Sequence, residues 1–287
     1  MGSKLTDPIV TRYTLAQAIE LASKTPPRGS NTSRSSVNDG WAGGTFDEAI
    51  EMASNGYHHG AARLNERVGL LAKVRKANRP QAVWDTSGSQ VDMGRFMTGV
   101  PESMISVRRR ARQSPVIKIG IERVVSAYVS TEDIEATGAS VLAAVESLRL
   151  AGIPSEIWAT FTSCPSGSPG DDFDRNADDQ PSWVSMMVKI QEPSRPIDLD
   201  RLGYWTMHPT LLRRIGFSMM ENCYNAKQRE WIGIGNSRGY GIPSTLRGRE
   251  SFHDFDELAP AKSSEVDAWL DDVLNRRTGI QIKVGEY

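Results

Sequence analysis

Val116-Ile117-Lys118-Ile119-Gly120-Ile121 is a run of β-branched and apolar residues with the length of a strand. Ser130 or Thr131 then caps a stretch in which Ile134, Val141, Leu142, Val145 and Leu148 form a helical stripe, closed by Gly152. From Glu156 to Phe161 the period returns to two, with Ile157, Ala159 and Phe161 on one side. Strand, glycine-ended helix and second strand together predict a parallel crossover, which requires a sheet covered by helices. Val184 to Ile190 supplies a further strand. The expected fold class is therefore α/β, a layered mixed sheet with flanking helices.

The rest of the chain is read around that unit. Leu15, Ala18, Ile19 and Ala22 place a short helix between Thr14 and Lys24, stopped by Pro26 and Pro27. Residues 26–44 are rich in Ser, Asn, Gly and Arg and read as a flexible loop. Thr45-Phe46-Asp47-Glu48 is a capping box: the Thr45 hydroxyl accepts from the Glu48 amide, and the Glu48 carboxylate reaches back to Thr45. A second helix is expected over 61–76. Ala82-Val83-Trp84 and Val91-Asp92-Met93 flank Asp85-Thr86-Ser87-Gly88-Ser89 and read as a hairpin. Val124 to Val129 either extends the Val116–Ile121 strand past a bulge or forms its return. Leu199 to Met220 reads as helical with a break at His208-Pro209, 222–249 as glycine-rich loop, 264–275 as a last amphipathic helix, and 280–284 as a closing strand. The expected division is a helical N-terminal region over 1–80 and an α/β core over 81–287.

Composition narrows the function classes. In 287 residues, 39% are hydrophobic, enough to bury a core, and the net charge is −1. A near-neutral chain can meet nucleic acid only through a local patch. The two cysteines, Cys164 and Cys223, lack histidines at ligand spacing, so a structural zinc site is not expected and free thiols are. The N-terminus leads into no apolar run, and no stretch is long and apolar enough to span a bilayer. The expectation is a cytoplasmic protein that takes no membrane partner. Nothing in the composition names a cofactor.

Motifs for chemistry fall short on spacing. Asp172, Asp174, Asn176 and Asp178 alternate as in a calcium loop, but Ala177 and Trp183 stand where that loop needs Gly and Glu. Gly233 to Gly239 misses the dinucleotide spacing, and no nucleophile elbow occurs. His253, Asp254 and Asp256 are types that ligate a metal or act as a general base, which would suit a metal-dependent hydrolase or nuclease. Arg108, Arg109, Arg110 and Arg112 form the most concentrated charge. Four guanidiniums so close suit phosphates, which would make the chain a nucleic-acid binder; a solvated face or ion pairs to the acidic loop is the other account.

Two further segments stand out. One runs from Gly40-Trp41 through Thr45 and Glu48 to Ala49, with Asn55-Gly56 following. The other is His208-Pro209-Thr210-Leu211-Leu212-Arg213-Arg214-Ile215-Gly216-Phe217, with Glu221 beyond. With Gly99 to Met104 and Gly138-Ala139, they resemble an uncharacterised family of bacteriophage and prophage proteins over about residues 41–279. That resemblance implies no particular activity or catalytic residue. By itself the second segment reads as a helix start at Pro209, with Leu211, Leu212 and Ile215 inward and Arg213 or Arg214 free to pin an internal carboxylate. The strand-helix-strand unit also resembles a von Willebrand A-like module. That family's D-x-S-x-S would fall at Glu122-Arg123-Val124-Val125-Ser126, where the Asp and first Ser are missing, so the resemblance implies a degenerate domain without its metal site. The expected function is non-enzymatic assembly or protein binding, through a protein partner or self-association.

Overall fold

The computed structural model describes residues 7–25, 33–34, 39–58, 81–108, 115–164, 183–234 and 240–278. The elements begin with β1 (Ile9–Thr14), α1 (Leu15–Ser23), α2 (Asp39–Ala42) and α3 (Phe46–Asn55). A small unit follows: β2 (Gln81–Asp85), β3 (Gln90–Val91), α4 (Met93–Met97) and β4 (Met104–Arg108). Next come β5 (Ile117–Glu122), α5 (Thr131–Leu150), β6 (Ser155–Cys164) and β7 (Val184–Gln191). The chain continues through α6 (Leu199–Met207), a π-helix (Leu211–Gly216), α7 (Phe217–Cys223) and α8 (Ala226–Ile232). It closes with β8 (Ile242–Pro243), β9 (Glu257–Leu258) and α9 (Ser263–Thr278).

The main sheet has the order β1-β7-β6-β5-β9, with β8 on the end of β6. β5 is parallel to β6 and to β9, β1 is parallel to β7, and β6 is antiparallel to β7. The mixed α/β sheet with flanking helices is as expected, and β5-α5-β6 is the parallel crossover. Ile117, Ile119 and Ile121 of β5 all face the core, which also takes Ile157, Ala159 and Phe161 of β6. Ser130 caps α5 by accepting from the Asp133 amide, and Gly152 ends it at φ 78°. Gly138 lets α5 approach the backbone of Thr206 and Met207 in α6, where any side chain would overlap that backbone.

Four expectations need correction. First, the N-terminal region is not only helical: β1 is the edge strand of the main sheet, and Ala18, Ala22, Ala49 and Ala53 belong to the same core as β5 and β6. The expected boundary at residue 80 therefore does not follow the packing. The run Ile9 to Thr14 lacks a clean apolar alternation because β1 is only half-buried. Second, β2 and β3 are not a hairpin. β4 lies between them and pairs antiparallel with both. The connection folds onto β4, where a side chain at Gly88 would overlap the Ile105 carbonyl. Third, 124–129 neither extends β5 nor returns along it. The Arg123 amide donates to Thr160 O at 2.8 Å, and a turn closed by Val129 N–H to Ser126 O follows. Fourth, α8 occupies part of the expected loop, started by the Asn225–Gln228 capping box and ended by Gly233 in the left-handed conformation. The helix expected over 61–76, the acidic loop at 172–178 and the strand over 280–284 lie outside the described residues.

Candidate functional site

The two segments singled out in the sequence meet in space. α6 stops at His208, whose extended backbone (φ −77°, ψ 131°) is the conformation favoured before proline. Pro209 has no N–H to continue an α-helical ladder, and the chain resumes as a π-helix over Leu211–Gly216, a rare form concentrated at functional sites. Gly43, at φ 81°, passes so close to the Pro209 ring that a side chain would overlap it.

Arg213 and Arg214 leave the π-helix toward different loops. The Arg213 guanidinium lies over the Trp41 ring at 4.5 Å and donates to Trp41 O and, at 2.6 Å, to Val129 O. Arg214 donates from Nε to Gly44 O at 3.0 Å and from Nη1 to Ser33 O at 3.2 Å. Both are buried, and burial lowers the Arg213 pKa. Of the two arginines expected to be free to pin a carboxylate, Arg213 holds backbone carbonyls. Trp41 Nε1 donates to Ala127 O at 3.0 Å, so the end of α2 and the turn at 127–129 are tied to one another and to the π-helix.

Below the arginines, Glu221 of α7 is fully buried. Its carboxylate accepts from Ser33 Oγ at 2.7 Å, Ser33 N at 3.2 Å and the Tyr240 hydroxyl. Burial raises its pKa, with these hydrogen bonds opposing the rise. The Tyr240 ring stacks on Phe217 at 3.7 Å. Neither Ser33 nor Tyr240 was legible as part of this cluster, since Ser33 is 188 residues from Glu221 and no periodicity reports such a contact.

His208 sits between Tyr57 (4.7 Å) and Tyr204 (5.6 Å). Its Nδ1 lies 2.8 Å from the Thr210 hydroxyl, and burial pushes its pKa down to about 4. The imidazole is neutral at pH 7. Thr45 and Glu48 form the expected capping box, whose hydrogen bonds hold the Glu48 carboxyl below its usual range. These groups fix loops to helices, and the Thr210 hydroxyl beside the His208 imidazole is fully buried and also engaged by the Tyr204 hydroxyl at 3.1 Å.

The other candidates separate. His253 Nδ1 accepts from Phe255 N–H and Nε2 lies 3.2 Å from Leu246 O, so both ring nitrogens are engaged by backbone. Asp254 is bound by the Lys118 ammonium, which lowers its pKa. Asp256 accepts from the Lys118 amide at 2.8 Å and faces Arg277 at 3.6 Å. Among the described residues, no three His, Cys, Asp or Glu side chains gather as a metal site would require. Arg108 ends β4 opposite Gln81, while Arg109, Arg110 and Arg112 lie outside the described residues. Among the described residues no helix is long and apolar enough to cross a membrane.

No curated protein and no solved structure matches this chain. A family does: the match runs over residues 11–277, so it takes in the main sheet, the small sheet and the arginine-bearing π-helix alike. The chain belongs to the family described as Domain of unknown function (DUF7192).

Proposed function

We propose that this chain is a phage-derived, non-enzymatic assembly protein that associates with further copies of itself through the small sheet β2-β4-β3. One observation carries the reading. Trp84, Val91, Met93, Phe96 and Met97 are 41–77% exposed, and over residues 83–106 Ser103 alone is buried. Three short strands with no buried apolar side chain over residues 83–106 fall short of what a sheet needs to stand alone in water, and a cluster of exposed large apolar groups marks an interaction surface. A second copy is the favoured occupant for two reasons. A net charge of −1 gives copies little mutual repulsion, and β2 and β3 both end the small sheet among the described residues, so an edge can pair with its own symmetry mate.

The phage or prophage origin rests on the resemblance carried by the Gly40–Ala49 and His208–Phe217 segments. The degenerate von Willebrand A-like reading of the core rests on the β5-α5-β6 crossover. Glu122, at the position of that family's aspartate, accepts from Thr245 Oγ1 at 2.7 Å and from the Leu246 amide, so the protein itself occupies this carboxylate.

Size-exclusion chromatography with light scattering, at low salt and with absorbance read at 260 and 280 nm, tests the proposal. A discrete oligomer that Trp84→Ser with Phe96→Ser reduces to monomer supports it. A monomer at every concentration contradicts it. Co-eluting nucleic acid released by salt also contradicts it, in favour of the Arg108–Arg112 run, whose first residue ends β4 of this sheet and beside which the exposed Trp84 and Phe96 would serve as base-stacking platforms.

A further inference from the structure

Ile117, Ile119 and Ile121 point in turn to the core side of β5, and by strand alternation the next side chain on that side is Arg123. Arg123 is 5% exposed, its Nε has no hydrogen-bond partner, and burial alone pushes its pKa down to about 10. Its charge also lowers the pKa of His208, which places it near the α6 break. On the adjacent parallel strand, Phe161 and Ser163 share the core-side face of β6. Ser163 is 1% exposed, and its Oγ is likewise without a partner. Extending the register by one residue sets Arg123 beside Phe161, so Ser163 is its diagonal neighbour, within reach of a long side chain. Two orphaned polar groups therefore share one face at the carboxyl ends of two parallel strands, the edge at which open α/β sheets bind ligands. Gly216, at the end of the π-helix, rests against the Phe161 ring, with 2.9 Å from an added Cβ to that ring.

We propose that the carboxyl ends of β5 and β6 form a binding site for a small oxyanion, a phosphate or carboxylate group of a small molecule, held by Arg123 with Ser163 Oγ as second donor. A guanidinium is matched to such groups by its planar fork of donors, and a buried cation without a partner is costly until an anion arrives. This site is distinct from the Arg213 and Arg214 clamp, whose named bonds go to backbone carbonyls.

Inorganic phosphate and acetate are titrated separately into the full chain, read by calorimetry and by the arginine Nε–H resonances in nitrogen-15 spectra. At least one anion binds at one site per chain and moves the Arg123 resonance. Arg123→Met binds at least about tenfold more weakly, since a charge-assisted pair is lost. Ser163→Ala, which removes one small group and leaves the guanidinium in place, binds a few-fold more weakly and keeps the Arg123 resonance responsive. Tighter phosphate binding assigns a phosphate group, and tighter acetate binding a carboxylate. Failure of both anions to bind overturns the proposal, as does binding that Ser163→Ala and Arg123→Met leave unchanged.

Discussion

The π-helix region and the small sheet are opposites built from one chain. Around Leu211–Gly216 the named polar groups are buried and bonded: Arg213 to two carbonyls and a ring, Arg214 to two carbonyls, Glu221 to Ser33 and Tyr240. In β2-β4-β3 the large apolar groups are exposed, and Arg95 rests 4.9 Å over a Trp84 that is itself half in solvent. A region whose bonding capacity is used internally stabilises the fold; one whose large apolar groups stay 41–77% exposed is available to another molecule. Motif-like spacing in the sequence pointed to the first region, whereas exposed apolar surface points to the second for function.

Substitutions in the clamp are expected to show the largest effects. Arg213→Ala leaves the carbonyls of Trp41 and Val129 without their donor and uncovers the Trp41 ring, and urea denaturation is expected to show a loss of about 3–5 kcal/mol. Arg213→Lys does not restore it, because an ammonium cannot span two carbonyls and a ring together. Next comes Gly43→Ala, which places a methyl group into the Pro209 ring at positive φ; the expected loss is about 1–3 kcal/mol in the same assay.

The clamp is also expected to depend on pH. The His208 pKa is about 4 in the folded chain against 6.5 for the free side chain. Below pH 6.5 the unfolded chain takes up a proton that the folded chain does not, so stability falls from pH 6.5 down to about 4 and levels off beneath. The shift corresponds to at most about 3 kcal/mol. Glu221 works in the opposite sense, because its raised pKa makes the folded chain bind the proton more readily as pH drops. Comparing His208→Gln with the parent chain at pH 7 and pH 4.5 isolates the histidine: the variant's stability is expected to vary less between the two. An identical dependence in both would remove His208 from the account.

Much of the main sheet was legible because its signals are local. Three isoleucines alternating in β5, the stripe of α5 between Ser130 and Gly152, and the Thr45–Glu48 box each report structure within a few residues. What was not legible depends on distant partners or on geometry without a pattern. Leu211 to Gly216 has the same apolar spacing whether the ladder is α or π, and β2 and β3 look like partners until β4 is known to lie between them. Arg123 entered the sequence reading only as the second residue of the Glu122–Ser126 stretch; only burial shows that the apolar alternation of β5 runs on into a cation. The sequence brought Arg213 and Arg214 forward, but the carbonyls they reach lie 84–181 residues away, which no motif encodes.

The smallest expected effect on stability is in the small sheet. Trp84→Ser and Phe96→Ser, at side chains 50% and 60% exposed, are each expected to change monomer stability by no more than about 1 kcal/mol while lowering the oligomer mass seen by light scattering. A large loss of stability would mean that these residues already pack within one chain.

Hydrogen exchange followed over a series of protein concentrations tests the central claim most directly, because it reads both regions in one experiment. The account predicts that amides of residues 81–108 become protected as concentration rises, while those of 208–223 are protected throughout. Residues 81–108 exchanging equally fast at every concentration would contradict self-association through the small sheet.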